Sequence, residues 1–252
     1  GTGALVVSSG ISAGSSGTKT FTLKGSNTRN NSVGAITNGS ATTFNLNKAD
    51  AGKWILTGTN TYTGTTAISD GTLLINGDSS GATGAVSVGS TGTLGGAGTI
   101  GGATTAASGS FLSAGPAGNT AGTLTFTSTL DVSGLAAGTG GLLFDLGATG
   151  ASDKIVSGTL TIGAGILNFD DGSFTTLGGF GGGAYTLFSA TSIIGTLGSG
   201  LNGTVGGLSG ALSLSGTDLV LTVTAVPEPS SYAVVLGGFA LLITAFRLRR
   251  RT

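Results

Sequence analysis

The sequence predicts an all-β fold: a solenoid body of stacked coils, followed by a single C-terminal transmembrane helix. Apolar residues come in short runs, such as Trp54–Leu56 and Leu73–Ile75, that are bounded by Gly, Asn and Thr. Runs of this length suit short strands and leave no room for an amphipathic helical face. The strand and turn recur, and such a unit must stack on a neighbouring copy to bury its apolar side. We therefore expect one elongated body over residues 1–225 and a separate tail over residues 226–252.

The composition fits a repetitive body and argues against a nucleic-acid partner. Glycine supplies 51 of the 252 residues, and only 8% of the residues are charged, against about 25% in an average globular domain. The recurring apolar runs nevertheless favour ordered coils over a flexible Gly-rich linker. Outside Glu228 and the last six residues, the chain has six basic and nine acidic residues. Such a body offers no basic surface for phosphates, so we expect no nucleic-acid partner.

The chain has no His, no Cys and no Met, which limits its chemistry. Without His there is no common general base near neutral pH, and without His and Cys the usual zinc ligands are absent. We therefore expect a protein that is not an enzyme, with no catalytic, cofactor-binding or metal-binding residues. The lack of an initiating Met and of a leader-like segment after Gly1 predicts a fragment whose export signal lies upstream.

An internal repeat is predicted near the N-terminus. The segment Thr20–Thr28 aligns with Lys53–Thr61, about 33 residues later, and Ala35–Gly39 aligns with Ala67–Gly71, about 32 residues later. Two spacings that agree so closely indicate a repeated structural unit. The first copy would cover residues 20–47 in a degenerate form.

The later part of the body is predicted to become thicker toward its end. After Asp78 the apolar runs shorten, and Pro116, within the segment Ser110–Phe126, predicts a loop that leaves the coil. From Leu142 to Ala225 the runs carry more bulk, as expected for a closing end that protects the last strand edge. With about 20 to 30 residues per coil, the body would have on the order of ten coils and a length of about 45 to 50 Å.

The clearest copy of the repeat is GKWILTGTNTYTGTTAISDGTLLING, residues Gly52–Gly77. This segment resembles the autotransporter-associated β-strand repeat. The residues that fit the pattern of that family are Leu56, Gly58, Asn60, Thr61, Tyr62, Gly64, Thr66, Ile68, Gly71 and Leu73. The resemblance implies a right-handed parallel β-helix that is exported to the cell surface, and nothing in the family pattern is catalytic.

Two pairs of residues have both a structural and a functional interpretation. Asp170 and Asp171 are adjacent acids that could bind calcium with the segment Gly178–Gly183, but that segment ends in Gly where the calcium-binding pattern has Asp. A role as turn acids is therefore favoured. Trp54 and Tyr62 could form a sugar-stacking platform, although packing between coils is favoured for both.

The tail combines three elements in order. The motif Pro227-Glu228-Pro229 precedes Tyr232–Phe246, fifteen residues without a charge, and a basic cluster follows: Arg247, Arg249, Arg250 and Arg251. Fifteen helical residues span about 22 Å, so flanking residues must help to cross a hydrocarbon core of about 30 Å. This order resembles the PEP-CTERM sorting signal, which implies an exported bacterial protein that a membrane protease called exosortase recognises. The basic cluster predicts that the arginines lie in the cytoplasm and the body lies outside.

These features predict a non-enzymatic exported bacterial protein of the cell surface or the extracellular biofilm matrix. Its tail would anchor it in the membrane until processing by an exosortase, and exopolysaccharide is a candidate partner of the released body. The alternative is a polysaccharide-binding or polysaccharide-lyase-type β-helix protein. A lyase needs acids together with Lys or Arg on one face, but Lys154 is the only basic residue between Trp54 and Phe246. The lyase is therefore the less favoured form of this alternative.

Overall fold

The computed structural model describes residues 3–135 and 140–224. In this part of the chain the protein is nearly all β, with one short 3₁₀ helix at Phe169–Asp171, which confirms the predicted all-β class. The predicted tail elements, namely the motif at residues 227–229, the apolar segment and the arginine cluster, lie outside the described residues. Among the described residues, no helix is both long and apolar enough to span a membrane.

The strands are short in the first half of the chain and longer in the second. They are β1 (Val6–Val7), β2 (Ile11–Ala13), β3 (Thr18–Leu23), β4 (Asn31–Val33), β5 (Ile36–Gly39), β6 (Thr43–Lys48), β7 (Lys53–Leu56), β8 (Thr66–Ile75), β9 (Asp78–Ser79), β10 (Val86–Gly96), β11 (Thr99–Ile100), β12 (Thr104–Ala106), β13 (Phe111–Ala114), β14 (Thr123–Phe126), β15 (Leu130–Asp131), β16 (Leu142–Leu146), β17 (Lys154–Leu167), β18 (Gly172–Thr176), β19 (Gly183–Leu197), β20 (Asn202–Val205), β21 (Leu208–Ser215) and β22 (Asp218–Thr224). Of these described strands, β2 and β5 form a separate two-stranded sheet, and the others belong to one continuous sheet.

The parallel strands stack in three ladders, which make up the sides of each coil. The first ladder runs through β1, β4, β7, β8, β10, β13, β16 and β18. The second ladder runs through β3, β6, β8, β10, β12, β15, β17 and β19. The third ladder pairs β2 with β5 and, further along the chain, runs through β9, β11, β14, β17 and β19. Long strands such as β8 turn a corner and contribute to two ladders.

The stacking register differs from the predicted repeat spacing. Leu56 pairs with Val33 in the first ladder, whereas Leu23 pairs with Lys48 in the second ladder. The copy predicted over residues 20–47 and its clearer counterpart therefore begin on different sides of the coil, so their alignment is wrong as a stacking register. Several corners use a similar sequence of strand followed by a turn with glycine or asparagine, which makes one corner resemble another in sequence.

The coils are narrow in the centre of the body and wide toward its end. Thr93 pairs with Phe111, so a central coil takes about 18 residues, whereas Leu160 pairs with Ile193, so a late coil takes about 33 residues. The first ladder has eight described strands, so its seven spacings of about 4.8 Å give a length of about 34 Å. This part of the body is therefore shorter than the predicted length of about 45 to 50 Å.

Alternate residues of the strands fill the core. Leu73, Leu94 and Leu112 hold the same position in successive coils of the first ladder, and none of them is more than 1% exposed. Neighbouring residues of a strand point to opposite sides. Ile55 therefore lies on the side of β7 opposite to Trp54, whose side chain belongs to the core. Ile55 is nevertheless only 6% exposed, so an apolar run of three residues supplies buried side chains on both sides of its strand.

The wide coils enclose an aromatic cluster. The ring of Phe144 lies 6.3 Å from that of Phe174 and 5.6 Å from that of Phe188, measured between centroids. Phe169, from the short 3₁₀ helix, lies 5.4 Å from Phe174. A wider coil leaves more interior volume, and large rings can fill it at the density of a normal protein core.

The last three strands change the direction of pairing. β22 pairs antiparallel with β19 and β21, and β20 pairs antiparallel with β21. The predicted parallel arrangement therefore does not extend over residues 202–224. Antiparallel strands need only short turns, whereas a further parallel strand would need a full circuit of the coil. This meander covers part of the edge that β19 would otherwise expose.

The charged side chain of Lys48 lies inside the stack. Lys48 is fully buried and pairs with Ile68 in the second ladder, at a position where an apolar residue would be expected. Its Nζ atom donates hydrogen bonds to three backbone carbonyl oxygens, those of Ala49, Asp50 and Asp70, at 2.9, 2.6 and 2.9 Å. Burial lowers the pKa of Lys48, and the nearby carboxylates oppose that shift. The ammonium group thus ties the turn after β6 to the corner of β8 in the next coil.

Candidate binding groove

A groove crosses several coils on the outer surface of the first ladder. Its volume is about 300 Å³, and the loop segment Gly115–Asn119 forms one wall. Each of the strands β7, β8, β10, β13, β16 and β18 contributes at least one residue to the lining. The groove exists because stacking places equivalent outward positions of successive coils in line.

Five of the sixteen residues that line the groove carry hydroxyl groups. Lys53 pairs with Thr72, and Thr72 pairs with Thr93, so these outward side chains follow one another along the stack at about 4.8 Å per step. Ser113 and Thr175 add hydroxyl groups in later coils. The lining also includes apolar side chains, among them Leu74, Leu143 and Phe144, so the surface of the groove mixes neutral polar and apolar groups.

The two charged residues of the described lining lie far apart. Lys53 belongs to β7 and Asp145 to β16, which are separated by four steps of the first ladder. Four steps of about 4.8 Å amount to about 19 Å, too far for an ion pair. The groove therefore has a cationic end and an anionic end, with a neutral middle.

Phe111 lies on the same strand as the lining residue Ser113 but is not among the described residues that line the groove. It pairs with Thr93 and is followed by Leu112 and Ala114, which are both core residues, with Ser113 between them. Strand alternation therefore puts Phe111 and Ser113 on the outer side of β13. Phe111 is only partly buried. The sequence analysis did not single out the outward residues of this strand, although the alternation in the segment F-L-S-A predicts which residues point outward.

A buried carboxylate, Asp153, fixes the loop that forms the wall of the groove. Its Oδ1 atom accepts a hydrogen bond from the backbone N–H of Gly122, and its Oδ2 atom accepts one from the backbone N–H of Asp145, both at 2.8 Å. Asp153 is 2% exposed. The Gly115–Gly122 loop, which the position of Pro116 predicted, is thereby tied to β16, the strand that brings Asp145 to the groove.

Both carboxyl groups near the loop are easier to protonate than usual. Burial raises the pKa of Asp153 to about 6, against the opposing effect of its two backbone hydrogen bonds, and the neighbouring Asp145 carboxylate adds to the increase. Burial also raises the pKa of Asp145, while a hydrogen bond with Thr175 lowers it. Because both oxygens of Asp153 are engaged by the backbone, Asp145 is the carboxylate that the groove presents to a ligand.

The aromatic residues suggested as a sugar platform are instead buried between coils. Trp54 is 7% exposed, and its Nε1–H donates to the backbone oxygen of Lys24 at 3.1 Å. Tyr62 is 2% exposed, its hydroxyl lies 2.6 Å from Oγ1 of Thr66, and burial raises its pKa to about 12. These contacts support the packing interpretation for both residues.

The adjacent acids are part of the turn that follows β17. Asp171 is 2% exposed, and its Oδ2 atom accepts a hydrogen bond from the backbone N–H of Asn168 at 2.8 Å. Across residues 3–135 and 140–224, no group of three or more potential ligand residues is placed to hold a metal ion. The calcium interpretation of Asp170 and Asp171 gains no support from this part of the chain.

A second depression lies near the third ladder and contains Lys154. Its volume is about 240 Å³, and its polar lining includes Thr123, Ser152 and Thr186. None of its described lining residues is acidic. This depression therefore does not combine a carboxylate with a basic group, which a polysaccharide lyase would require on one face.

One comparison with known proteins gives a positive result. A family model described as passenger-associated-transport-repeat matches residues 46–75. The match runs from Leu46 in β6 to Ile75 in β8 and contains the pair Leu46 and Thr66, which completes one turn of the second ladder. It supports the predicted resemblance to the autotransporter-associated β-strand repeat and is consistent with an exported surface protein. No curated protein is similar enough to the chain to count as a match.

The sorting residues stay predictions. Pro227, Glu228 and Pro229, like the cluster formed by Arg247, Arg249, Arg250 and Arg251, lie outside the described residues. The family match lies elsewhere, within the body.

Proposed function

We propose that the chain is a non-enzymatic bacterial surface or extracellular-matrix protein whose body is a right-handed parallel β-helix. The observation that carries this proposal is the family match to residues 46–75, which coincides with one turn of the parallel stack. A stack of coils provides length and surface with few requirements on individual side chains. Such a body serves as a spacer or scaffold outside the cell.

The composition supports a role without catalysis. The sequence contains no His and no Cys, and the larger groove combines one ammonium with one carboxylate at opposite ends. General acid and base groups must both lie within hydrogen-bond reach of the reacting atoms. A separation of about 19 Å between Lys53 and Asp145 does not provide that.

Sorting through the tail completes the proposal. The uncharged segment Tyr232–Phe246 would hold the protein in the membrane, with the terminal arginines in the cytoplasm. The two prolines around Glu228 disfavour helix at the residues before them, which leaves an extended peptide for a protease. An exosortase-type enzyme would then release the body into the envelope or matrix.

The test is expression of the full chain, behind a standard export signal, in two bacterial hosts that differ only in an exosortase. We expect the host with the enzyme to yield body lacking the peptide Arg247–Thr252 by mass spectrometry, and the other host to retain it in the membrane fraction. Pro227→Ala with Pro229→Ala should reduce processing, whereas Ser231→Ala should leave it unchanged. Retention of the arginine peptide in both hosts would contradict sorting and leave only a permanent anchor.

Surface location is tested separately from processing. Protease added to intact cells should digest the body of the exported chain, while a cytoplasmic control protein stays intact. If the body is protected and the tail is still processed, the surface role is wrong even though the tail is recognised.

A second candidate function, polysaccharide binding, is favoured by the groove on the first ladder, where five of the described lining residues carry hydroxyl groups. It is compatible with a scaffold role, because a matrix protein must contact the polymer around it. The lyase form has weaker support, since Lys154 lies in a depression whose described lining contains no acid.

A further inference from the structure

We propose that the Gly115–Gly122 loop opens and closes over the groove on the first ladder, and that it opens when the carboxyl group of Asp153 at its base loses a proton. Acid closes the loop, and neutral pH favours its opening. This inference goes beyond the proposed surface role and does not depend on it. It stands on the geometry of the loop and of the carboxyl group that the loop covers.

The two ends of the loop meet on Asp153. A Cβ atom on Gly122 would lie 2.8 Å from the Cα atom of Gly115, so the ends are in contact. A Cβ atom on Gly115 would lie 2.7 Å from Oδ1 of Asp153, and the same oxygen accepts the N–H of Gly122 at 2.8 Å. A compact surface loop whose ends lie this close is of the Ω type. Separation of its ends would admit water to a carboxyl group that is 2% exposed in the closed loop.

Between its ends the loop has few contacts that hold it closed. None of residues 116–121 is buried. The side-chain hydrogen bond described in this stretch, from Oγ1 of Thr120 to the carbonyl oxygen of Gly118 at 3.1 Å, stays inside the loop. Segments with few buried contacts open at a low cost in free energy. The closed position therefore depends mainly on the contacts at the two ends.

The end at Gly122 allows this movement without loss of the neighbouring strand. The N–H of Lys154 donates to the carbonyl oxygen of Gly122 at 3.0 Å, which fixes the carbonyl side of that residue. The N–H of Gly122 belongs to the other peptide plane, which it shares with Ala121. This plane can turn away from Asp153 while the bond from Lys154 stays in place.

The loop also covers an apolar part of the groove. Leu74 lies between two core residues of β8, Leu73 and Ile75, so its side chain points to the outer side. Leu74 is nevertheless only 6% exposed. In the described lining of the groove, the segment Gly115–Asn119 is the part that does not belong to a strand. Opening of the loop would therefore widen the groove and expose more of its apolar lining.

The direction of the pH effect follows from the burial of Asp153. Under the closed loop its pKa is about 6, above the ordinary value of 3.8, because burial disfavours the charged form more than the two backbone hydrogen bonds favour it. In the open loop the carboxyl group is hydrated, and its pKa returns toward the ordinary value. The closed loop thus binds the proton more tightly than the open loop. Proton binding therefore stabilises the closed loop below about pH 6, and this stabilisation is lost at higher pH.

The other charged groups near the loop do not reverse this direction. The loop itself has no titratable side chain. Asp145, which faces Asp153 from β16, has a raised pKa because of burial, and its charge raises the pKa of Asp153 further. Lys154 lines the separate depression near the third ladder, and Lys53 lies at the opposite end of the groove. The two carboxyl groups therefore act on the loop in the same direction.

The experiment is amide hydrogen exchange of the full chain in mild detergent, measured by NMR at about pH 5 and about pH 7. Each exchange rate is divided by the rate of an unprotected amide at the same pH. We expect the protection of the Gly122 amide to fall about tenfold between these two pH values. The amide of Leu46, which donates to the carbonyl oxygen of Thr65 in a distant coil, is the internal control and should keep its protection.

Two variants identify the group that is responsible. Asp153→Asn has no titrating carboxyl group at the base of the loop, so the protection of Gly122 should no longer fall tenfold. Asp131→Asn is the matched control, because its carboxylate accepts hydrogen bonds only from the nearby Ser133 in the described contacts. This control variant should show the same tenfold fall as the unaltered protein.

A second measurement decides the outcome if Asp153→Asn does not fold in chemical denaturation. The ¹³C shift of the Asp153 carboxyl carbon in the unaltered protein should titrate near pH 6, together with the protection of Gly122. Four results would overturn the inference: equal protection at both pH values, lower protection in acid, an unchanged tenfold fall in Asp153→Asn, or titration of Asp153 near its ordinary value. Lower protection in acid would show that the hydrogen bonds of the charged carboxylate hold the loop closed.

Discussion

The central coils and the last coils of this protein fill their interiors in different ways. In the centre, Thr93 and Phe111 pair after a short circuit of the chain, and the corners bring backbone into close contact: a Cβ atom on Gly84 would meet the carbonyl group of Gly64. In the last coils, Leu160 and Ile193 pair after a circuit nearly twice as long, and aromatic rings fill the interior. The wide coils contain an equally close contact, since a Cβ atom on Gly195 would meet the carbonyl oxygen of Gly163. The comparison therefore teaches that both kinds of coil need positions without side chains, and that the wide coils in addition need large side chains inside.

The largest expected effect tests the wide coils. Phe144→Ala removes a ring that is 2% exposed and contacts Phe174 and Phe188. We expect the free energy of unfolding to fall by about 3 to 5 kcal/mol, because a cavity remains where the ring was. Urea denaturation followed by circular dichroism measures this loss. A loss below about 1 kcal/mol would mean that the wide coils do not depend on their aromatic core.

The next effect tests the narrow coils. Gly84→Ala places a methyl group against the carbonyl of Gly64 in the preceding coil, which forces the two corners apart and should cost about 2 to 3 kcal/mol. Hydrogen exchange should accelerate in β8, β10 and β12 and stay unchanged in β19–β22. Gly178→Ala is the matched control: nothing lies within 4 Å of its added Cβ atom, so its stability should change by less than about 0.5 kcal/mol. Equal effects of the two substitutions would contradict the corner argument.

A smaller effect concerns the buried ammonium group of the early coils. Lys48→Met keeps a long side chain but leaves the carbonyl oxygens of Ala49, Asp50 and Asp70 without their donor. We expect a loss of about 2 kcal/mol in chemical denaturation. Lys24→Met, at an exposed position, is the control. Greater stability of Lys48→Met would show that burial of the charge costs more than its three hydrogen bonds contribute.

The smallest effect depends on pH and tests the junction between the two kinds of coil. The pKa of Asp153 in the folded protein is about 6, above its ordinary value of 3.8, so the folded state binds the proton more tightly than the unfolded state does. The stabilising contribution is therefore complete below about pH 4 and is lost as the pH rises through about 6. We expect this carboxyl group to cost about 1 kcal/mol of stability between about pH 4 and about pH 7.

The measurement for that prediction is a series of urea denaturation midpoints across this pH range. The part that belongs to Asp153 is the difference between the protein and Asp153→Asn, whose side chain does not titrate. Parallel pH profiles of the two proteins would contradict the prediction. So would a protein that loses stability relative to Asp153→Asn as the pH falls.

Much of the fold was predictable because it depends on local pattern. Short apolar runs and glycine turns predicted strands and stacking, and Pro116 predicted the loop that leaves the coil. The register was not predictable, since Leu23 and Leu56 have similar surroundings in sequence but lie on different ladders. Local similarity cannot tell one corner of a coil from another.

The site was less predictable than the fold. An apolar run such as Trp54-Ile55-Leu56 does not show which of its residues point outward, because all three are apolar. The outward position of Ser113, which lines the groove, required knowledge of which face of β13 is buried. Asp153 required knowledge of tertiary contacts, since its hydrogen-bond donors, Gly122 and Asp145, belong to other parts of the coil. Both residues acquire their role only when the coils are stacked.

The pairing within the three ladders also determines the order in which the coils can fold. Each described parallel strand pairs with a strand of the neighbouring coil. Even in the wide coils, the later partner of Leu160 is Ile193. A coil can therefore form without pairing to a distant part of the chain. Paired residues lie about 18 to about 33 positions apart, which keeps the entropic cost of closing each coil modest. If the chain is exported as proposed, one coil after another could close outside the membrane, and each closed coil would prevent the emerged segment from sliding back. Stacking would then convert random thermal motion into one-way passage without any energy source on the outer side.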